Sequence, residues 1–172
     1  MSNELRLVAD LMCIAARTAP KSAGQDFVVT AVVEGQTCHE LGEAMIRYGQ
    51  ESGKPNFDRD GKNMLASPIA VLIGIKDARP LGINCGACGS AECIKPNQLE
   101  AEFKGPQCAF RLLDMGIALG SAVKTAGMLN VDNRIMYRVG FIARKMGLID
   151  ADYVMGIPLS VTGKSIYFDR KP

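Results

Sequence analysis

The segment between Pro80 and Pro106 constrains this chain more than any other, because it holds too few apolar residues to fold by burial. Prolines and glycines interrupt regular structure along its length; they are Pro80, Gly82, Gly86, Gly89, Pro96, Gly105 and Pro106. This segment and the two residues after it carry four cysteines in the pattern C-x2-C-x4-C-x14-C. A segment of this composition has to take its order from something other than a core, and metal–thiolate bonds can supply it.

The spacing of these cysteines is typical of an iron–sulfur site; they are Cys85, Cys88, Cys93 and Cys108. Three thiolates on a short glycine-rich loop can wrap one face of a cubane cluster while a distant thiolate closes the other. We expect Gly86 and Gly89 to adopt positive φ and to turn backbone N–H groups toward cluster sulfides. With no histidine nearby, a Rieske-type site is excluded, and both [4Fe–4S] and [2Fe–2S] cores remain open.

Structural zinc and a site without metal are the alternatives for the same four cysteines. Zinc sites usually consist of two close pairs of ligands, and Cys93 and Cys108 do not form such a pair. The two other cysteines, Cys13 and Cys38, have no cysteine at short spacing and are interpreted as inert small residues.

The chain has 172 residues, 48% of them hydrophobic and 22% charged, so we expect one domain over residues 1–172, with 80–108 as the cysteine loop. The net charge is +2 without a run of five like charges, so nucleic acid is not expected as a partner. Charged side chains interrupt the longest apolar stretch, so no membrane span is expected. The N-terminus lacks a signal peptide's basic start and apolar run, which with an ordinary cysteine content favours the cytoplasm.

Apolar periodicity predicts an α+β domain, a small sheet packed by helices. The expected helices are 3–19, 37–53 with a capping box at Thr37 and Glu40, 109–128, and one capped by Asp132 that ends at Gly147. The expected strands are 27–33, 69–75 and 153–161, with Pro158 indicating an edge or a bulge. Residues 54–67 are expected to form an exposed connection holding a short helix. The helix 109–128 is apolar on most faces, which predicts burial on nearly all sides and a homodimer to complete it.

The string from Cys85 to Cys93, followed by Cys108, resembles the four-iron motif of corrinoid iron–sulfur proteins and related carriers of anaerobes, which implies a [4Fe–4S] cluster. Most of the chain also resembles an uncharacterised prokaryotic family of ferredoxin-domain proteins. The matching segments are 16–24, the cysteine loop, 132–140 and 156–164. This resemblance implies no established reaction.

A more distant resemblance is to the flavin-dependent nitroreductases, on residues 15–25, 110–129 and 169–172. It implies a sheet sandwiched by helices, an intertwined homodimer, and an FMN phosphate held by Arg17, Ser22 and Arg170. The chain departs from that family in lacking its leading arginine pair and its Asn-x-Gln-Pro-Trp string. The alternative role for both arginines is to hold the tail through carboxylates such as Asp26 and Asp169.

These observations predict a redox protein that binds one [4Fe–4S] cluster and passes electrons to a flavin or to an unidentified partner protein. One alternative is a non-catalytic binding or assembly protein with structural zinc. Another is an FMN-dependent reductase of the nitroreductase type. Oxidoreductase activity is thus an open expectation.

Overall fold

Four antiparallel strands form the central sheet of the computed structural model, which describes residues 2–168. In chain order the elements are α1 (Ser2–Thr18), β1 (Val28–Glu34), α2 (Gln36–Ser52), α3 (Phe57–Leu65), β2 (Ile69–Ile75), β3 (Leu99–Glu100), β4 (Lys104–Gly105), α4 (Ala109–Met128), β5 (Asp132–Asn133), α5 (Tyr137–Lys145) and β6 (Tyr153–Ser160). A 3₁₀ turn, Ser22–Gly24, follows α1. Strands β3 and β4 pair as a separate small hairpin within the cysteine-bearing segment.

Helices cover both faces of the sheet, whose strand order is β1-β2-β6-β5. All seven residues of β2 are buried, and because side chains alternate across a strand they serve two cores. Val71 and Ile73 belong to the core under α1 and α4, whereas Ala70 and Leu72 belong to the core under α2, α3 and α5. The predicted α+β architecture, a small sheet packed by helices, is confirmed.

Helix α5 packs directly on the backbone of β6, because glycines lie where the two elements cross. A Cβ atom added to Gly140 would lie 2.1 Å from the carbonyl oxygen of Val154, and one added to Gly156 would lie 2.2 Å from a side-chain carbon of Val139. No larger residue fits at either position without moving the helix away from the strand.

Residues 54–67 differ from the expected exposed connection. They contain α3, whose side chains of Phe57 and Met64 are fully buried. The ring of Phe57 packs edge-on against Tyr48 of α2, with 4.8 Å between centroids. The nine-residue helix carries few strongly apolar residues, so its tertiary contacts rather than its sequence pattern define it.

Two predicted helix caps were wrong. Gly35 occupies the N-cap of α2, so Thr37 lies inside the helix and makes no capping bond. Asp132 lies in β5, where it pairs with Ser160 of β6, and α5 begins only at Tyr137. In both places a residue suited to capping serves the sheet or the helix interior instead.

Pro158 lies in an interior strand rather than at an edge, since β6 is between β2 and β5. Gly156 exchanges two hydrogen bonds with Met136, at 2.8 and 3.0 Å, on the β5 side. Alternate residues of an antiparallel strand point the same way, so the N–H group that Pro158 lacks would also face β5. The β5 ladder is interrupted there, between Asn133 and Met136, so no bond is lost.

Helix α4 has the predicted bounds but is buried along one face only. Met115, Ala118 and Ala122 lie in the core, whereas Leu113 and Ile117 are 59% and 46% exposed. The expected burial on nearly all sides is therefore incomplete within one chain. Within residues 2–168, no helix combines the length and the apolar character needed to cross a bilayer.

Candidate metal centre

All four cysteines of the C-x2-C-x4-C-x14-C pattern line one recess, between the loop 80–94 and the first turn of α4. The recess encloses about 320 Å³ of empty space. Cys85 and Cys88 are exposed, Cys93 is partly buried, and Cys108 is 7% exposed. The fold thus brings together the cysteines that the sequence pattern grouped.

The loop that carries the first three cysteines turns at glycines. Gly86 and Gly89 have φ values of 72° and 86°, as predicted, and the N–H of Gly89 donates to the carbonyl of Gly86 at 2.9 Å. Asn84 also has positive φ, and its side-chain oxygen accepts the N–H of Cys93 at 2.9 Å. This bond closes the loop on itself, and the sequence analysis missed it although Asn favours this conformation.

Cys108 is held by the core instead of the loop. It occupies the N-cap position of α4, and its carbonyl oxygen accepts the N–H groups of Arg111 and Leu112 at 3.0 and 3.2 Å. The positive end of the helix dipole therefore lies beside the recess, where it favours a negatively charged group such as a thiolate-bound cluster.

A buried carboxylate, that of Asp152, anchors both ends of the cysteine-bearing segment. Its Oδ2 atom accepts the backbone N–H of Asp77 at 2.6 Å and the side-chain amide of Asn97 at 2.9 Å. Its Oδ1 atom lies 3.2 Å from the ammonium of Lys104. The amide of Gln107, next to Cys108, donates to the side-chain oxygen of Asn97 at 2.6 Å.

The second anchor is Arg111, a fully buried cation in the first turn of α4. Its Nε donates to the carbonyl of Arg79, at the start of the loop, at 2.8 Å. Its Nη1 donates to the carbonyl of Ser22 at 3.1 Å and to the carboxylate of Asp114 at 3.0 Å. Two opposite charges at i and i+3 in an otherwise apolar helix were the sequence signal for this pair.

The donor set of the recess fits an iron–sulfur cluster. A Zn–S bond is about 2.3 Å long, so one zinc ion holds its thiolates within about 4 Å of one another. Among the described residues, no group of three or more His, Cys, Asp or Glu side chains is arranged to bind one metal ion. A cluster contains several metal atoms and spreads its thiolates further apart, as four cysteines around one recess require.

The residues expected to hold an FMN phosphate have partners within the chain. A guanidinium nitrogen of Arg17 lies 3.1 Å from the carboxylate of Asp26, and another donates to the carbonyl of Val28. The N–H and the hydroxyl of Ser22 both donate to Asp114. Arg170 lies outside the described residues. The ion pair with Asp26 is the one that the alternative role of Arg17 anticipated.

The remaining cysteines lie away from the recess. The Cys38 thiol is buried 3.2 Å from the carbonyl of Val33, and burial raises its pKa to about 12. Burial also raises the pKa of the Cys13 thiol. Both thiols are therefore protonated at neutral pH, as expected of inert residues.

The fold is similar to those of solved nitroreductases. An FMN-dependent nitroreductase from Mycobacterium smegmatis, solved with NADPH, has a TM-score of 0.64 at 12% identity, over 97% of this chain and 83% of that one. A nitroreductase with bound FMN from Desulfitobacterium hafniense has a TM-score of 0.60 at 14% identity, over 92% of this chain and 78% of that one. Identities this low show a shared fold and nothing about activity.

Family comparison gives a closer relationship. An uncharacterised protein from Archaeoglobus fulgidus is 47% identical over 171 residues, 98% of this chain and 92% of that protein. A family model described as "Uncharacterized protein containing a ferredoxin domain (DUF2148)" matches residues 104–170, which include Cys108 and begin after the three loop cysteines. The chain therefore belongs to this family of ferredoxin-domain-containing proteins.

Proposed function

We propose that this protein is an electron-transfer protein that binds one [4Fe–4S] cluster through Cys85, Cys88, Cys93 and Cys108. The observation that carries the proposal is the convergence of these cysteines on one recess, although Cys108 lies on a different element from the others. When bound, a cluster accepts and donates single electrons. The ferredoxin domain in the family description supports a redox role.

The protein's own residues would shape the site in two ways. The loop turns at Gly86 and Gly89 direct backbone N–H groups inward, and hydrogen bonds to cluster sulfur tune reduction potential. The N-terminus of α4, at Cys108, offsets negative charge on the core side. Exposed Cys85 and Cys88 leave the opposite side open to solvent, where a redox partner can approach.

We also propose that the protein acts in the cytoplasm. Its six cysteines are free thiols, and thiols persist in a reducing compartment.

Metal analysis of the protein, purified without oxygen, tests the cluster. We expect a broad absorption band near ~400 nm that bleaches on reduction, with four iron and four sulfide per chain. Cys88→Ala should abolish both iron and sulfide, whereas Cys13→Ala serves as the matched control and should keep them. A colourless protein that contains one zinc would support the structural-zinc alternative. Full iron and sulfide in Cys88→Ala would refute the proposed ligand set.

A second candidate function is FMN-dependent reduction, favoured by the nitroreductase fold. Arg17, Ser22 and Arg170 are the proposed phosphate ligands, and the first two would have to give up Asp26 and Asp114 to bind it. Titration of FMN into the protein tests this candidate. Micromolar binding that Arg17→Ala weakens tenfold, about 1.4 kcal/mol, would support it. No binding at millimolar FMN would leave the electron-transfer function alone.

A further inference from the structure

An open cleft of about 760 Å³ lies apart from the cysteine recess, between the C-terminal ends of α2 and α5 and the β3–β4 hairpin. Its volume is within the range of small-molecule sites, about 300–1,000 Å³. Tyr48 and Phe141 form an aromatic part of the lining, with their rings 5.0 Å apart. Neither the cluster nor the FMN residues account for this cleft.

Four cations line the cleft; they are Lys54, Lys104, Arg144 and Lys145. Three of them are neutralised by carboxylates, since Lys54 pairs with Glu102, Lys104 with Asp152, and Arg144 with Glu100. Within residues 2–168, Lys145 has no carboxylate partner. Its ammonium lies 4.9 Å from the centroid of the Tyr48 ring, and the ammonium of Lys54 lies 5.8 Å from the same centroid.

Two ammonium groups at one ring repel each other, and one carboxylate, that of Glu102, is shared between them at best. An anion placed in the cleft would contact Lys145 and relieve this repulsion. Phosphate groups are held well by such clusters, because they present several strong acceptor oxygens and up to two negative charges.

The carboxylates that face the cleft come from the hairpin and compete with such a ligand. Glu100 in β3 lies 2.7 Å from Arg144 of α5, and Glu102 in the hairpin turn lies beside Lys54 at the end of α2. Exposed ion pairs of this kind contribute at most about 1 kcal/mol. A ligand that carries phosphate can therefore displace them.

We propose that this cleft binds a phosphorylated small molecule about the size of a mononucleotide, with Lys145 and Arg144 as its phosphate contacts. Glu100 acts as an internal competitor for Arg144. The hairpin runs on to Cys108 through Gln107, so the ligand would lie next to the segment that carries the cysteines.

Calorimetric titration of the intact protein with inorganic pyrophosphate and, separately, with adenosine monophosphate tests the proposal. We expect one site per chain, and Lys145→Glu should weaken binding at least tenfold. Glu100→Gln should tighten binding several-fold, and a gain in affinity cannot come from misfolding. Lys62→Glu, on the exposed side of α3, is the matched control and should change nothing.

The two probes separate the sources of the phosphate. Equal affinities would mean that phosphate alone is recognised, and tighter binding of the nucleotide would mean that the aromatic lining contributes; both support the site. No binding of either probe at about 1 mM would overturn it, since that limit corresponds to about −4.1 kcal/mol. Binding that Lys145→Glu and Glu100→Gln leave unchanged would also overturn it. Iron and sulfide are measured in every sample, so loss of this site with an intact cluster leaves the electron-transfer proposal standing.

Discussion

Asp114 accepts two hydrogen bonds from Ser22, one from its backbone N–H at 2.7 Å and one from its hydroxyl at 2.8 Å. The two residues join the 3₁₀ turn after α1 to the second turn of α4. The other carboxylate oxygen of Asp114 pairs with the buried guanidinium of Arg111. A phosphate could bind the N–H of Ser22 only by displacing this carboxylate, because two anions cannot share one donor group at that distance.

We expect Asp114→Ala to lower the free energy of unfolding by about 3–5 kcal/mol, because it leaves the charge of Arg111 buried without a counterion. Urea denaturation followed by circular dichroism measures the change. The matched control is Asp10→Ala, which removes an exposed i,i+4 partner of Arg6 and should have a small effect. Equal effects of the two substitutions would contradict the assigned role of the buried pair.

Asp152→Asn should weaken retention of the cluster while the protein stays folded. The substitution removes the charge that pairs with Lys104 and replaces one acceptor of the Asp77 and Asn97 bonds with a donor. Both ends of the cysteine segment are then less well fixed. Iron and sulfide content after exposure to air measures the effect. Asp150→Asn, in an exposed pair with Lys76, is the control and should retain metal as wild type does.

Stability should fall at alkaline pH because of Cys38. Its pKa is raised to about 12 by burial, from an ordinary value near 9. The folded state therefore favours the neutral thiol, and its contribution is full below pH 9 and is lost as pH rises toward 12. The free energy of unfolding should decline more steeply in this window for wild type than for Cys38→Ala. Parallel pH profiles for the two proteins would disprove the assignment.

We expect a homodimer formed by the outer faces of α1 and α4. Leu7 and Ile14 of α1 and Leu113 and Ile117 of α4 are each about half exposed or more, which makes an apolar surface. Ile117→Glu should yield monomers in sedimentation experiments at micromolar concentration. Val161→Glu, at an exposed apolar residue elsewhere, should leave the dimer intact. A monomeric wild-type protein would refute this prediction.

The elements that sequence periodicity predicted well are those whose pattern depends on burial alone. Strand β2 is a continuous apolar run with both faces in a core, and α4 carries an unbroken helical pattern over its 20 residues. The caps failed because Thr37 and Asp132 are suited to capping only when the helix begins beside them, and tertiary pairing decided otherwise. Helix α3 was underestimated because its packing against Tyr48 and α5 is not local in sequence.

The grouping of the four cysteines could be predicted, because ligand spacing is a local property of the chain. The anchors of the loop could not. Asp152 lies more than forty residues beyond the last of the four, and its partners Asp77 and Asn97 meet it only through the pairing of β2 with β6. Arg111 was seen only as a charge that interrupts an apolar stretch, since nothing in the sequence shows that Arg79 and Ser22 present carbonyls to it.

The uneven burial of the cysteines gives the proposed cluster an inner and an outer side. Cys108 begins the helix that runs through the core beside Arg111, whereas Cys85 and Cys88 lie on a surface loop closed by Asn84. Oxidative damage at the outer side would release the surface ligands first and leave Cys108 fixed in its place. Repair would then require closing a short loop over a ready-made seat, without unfolding the domain.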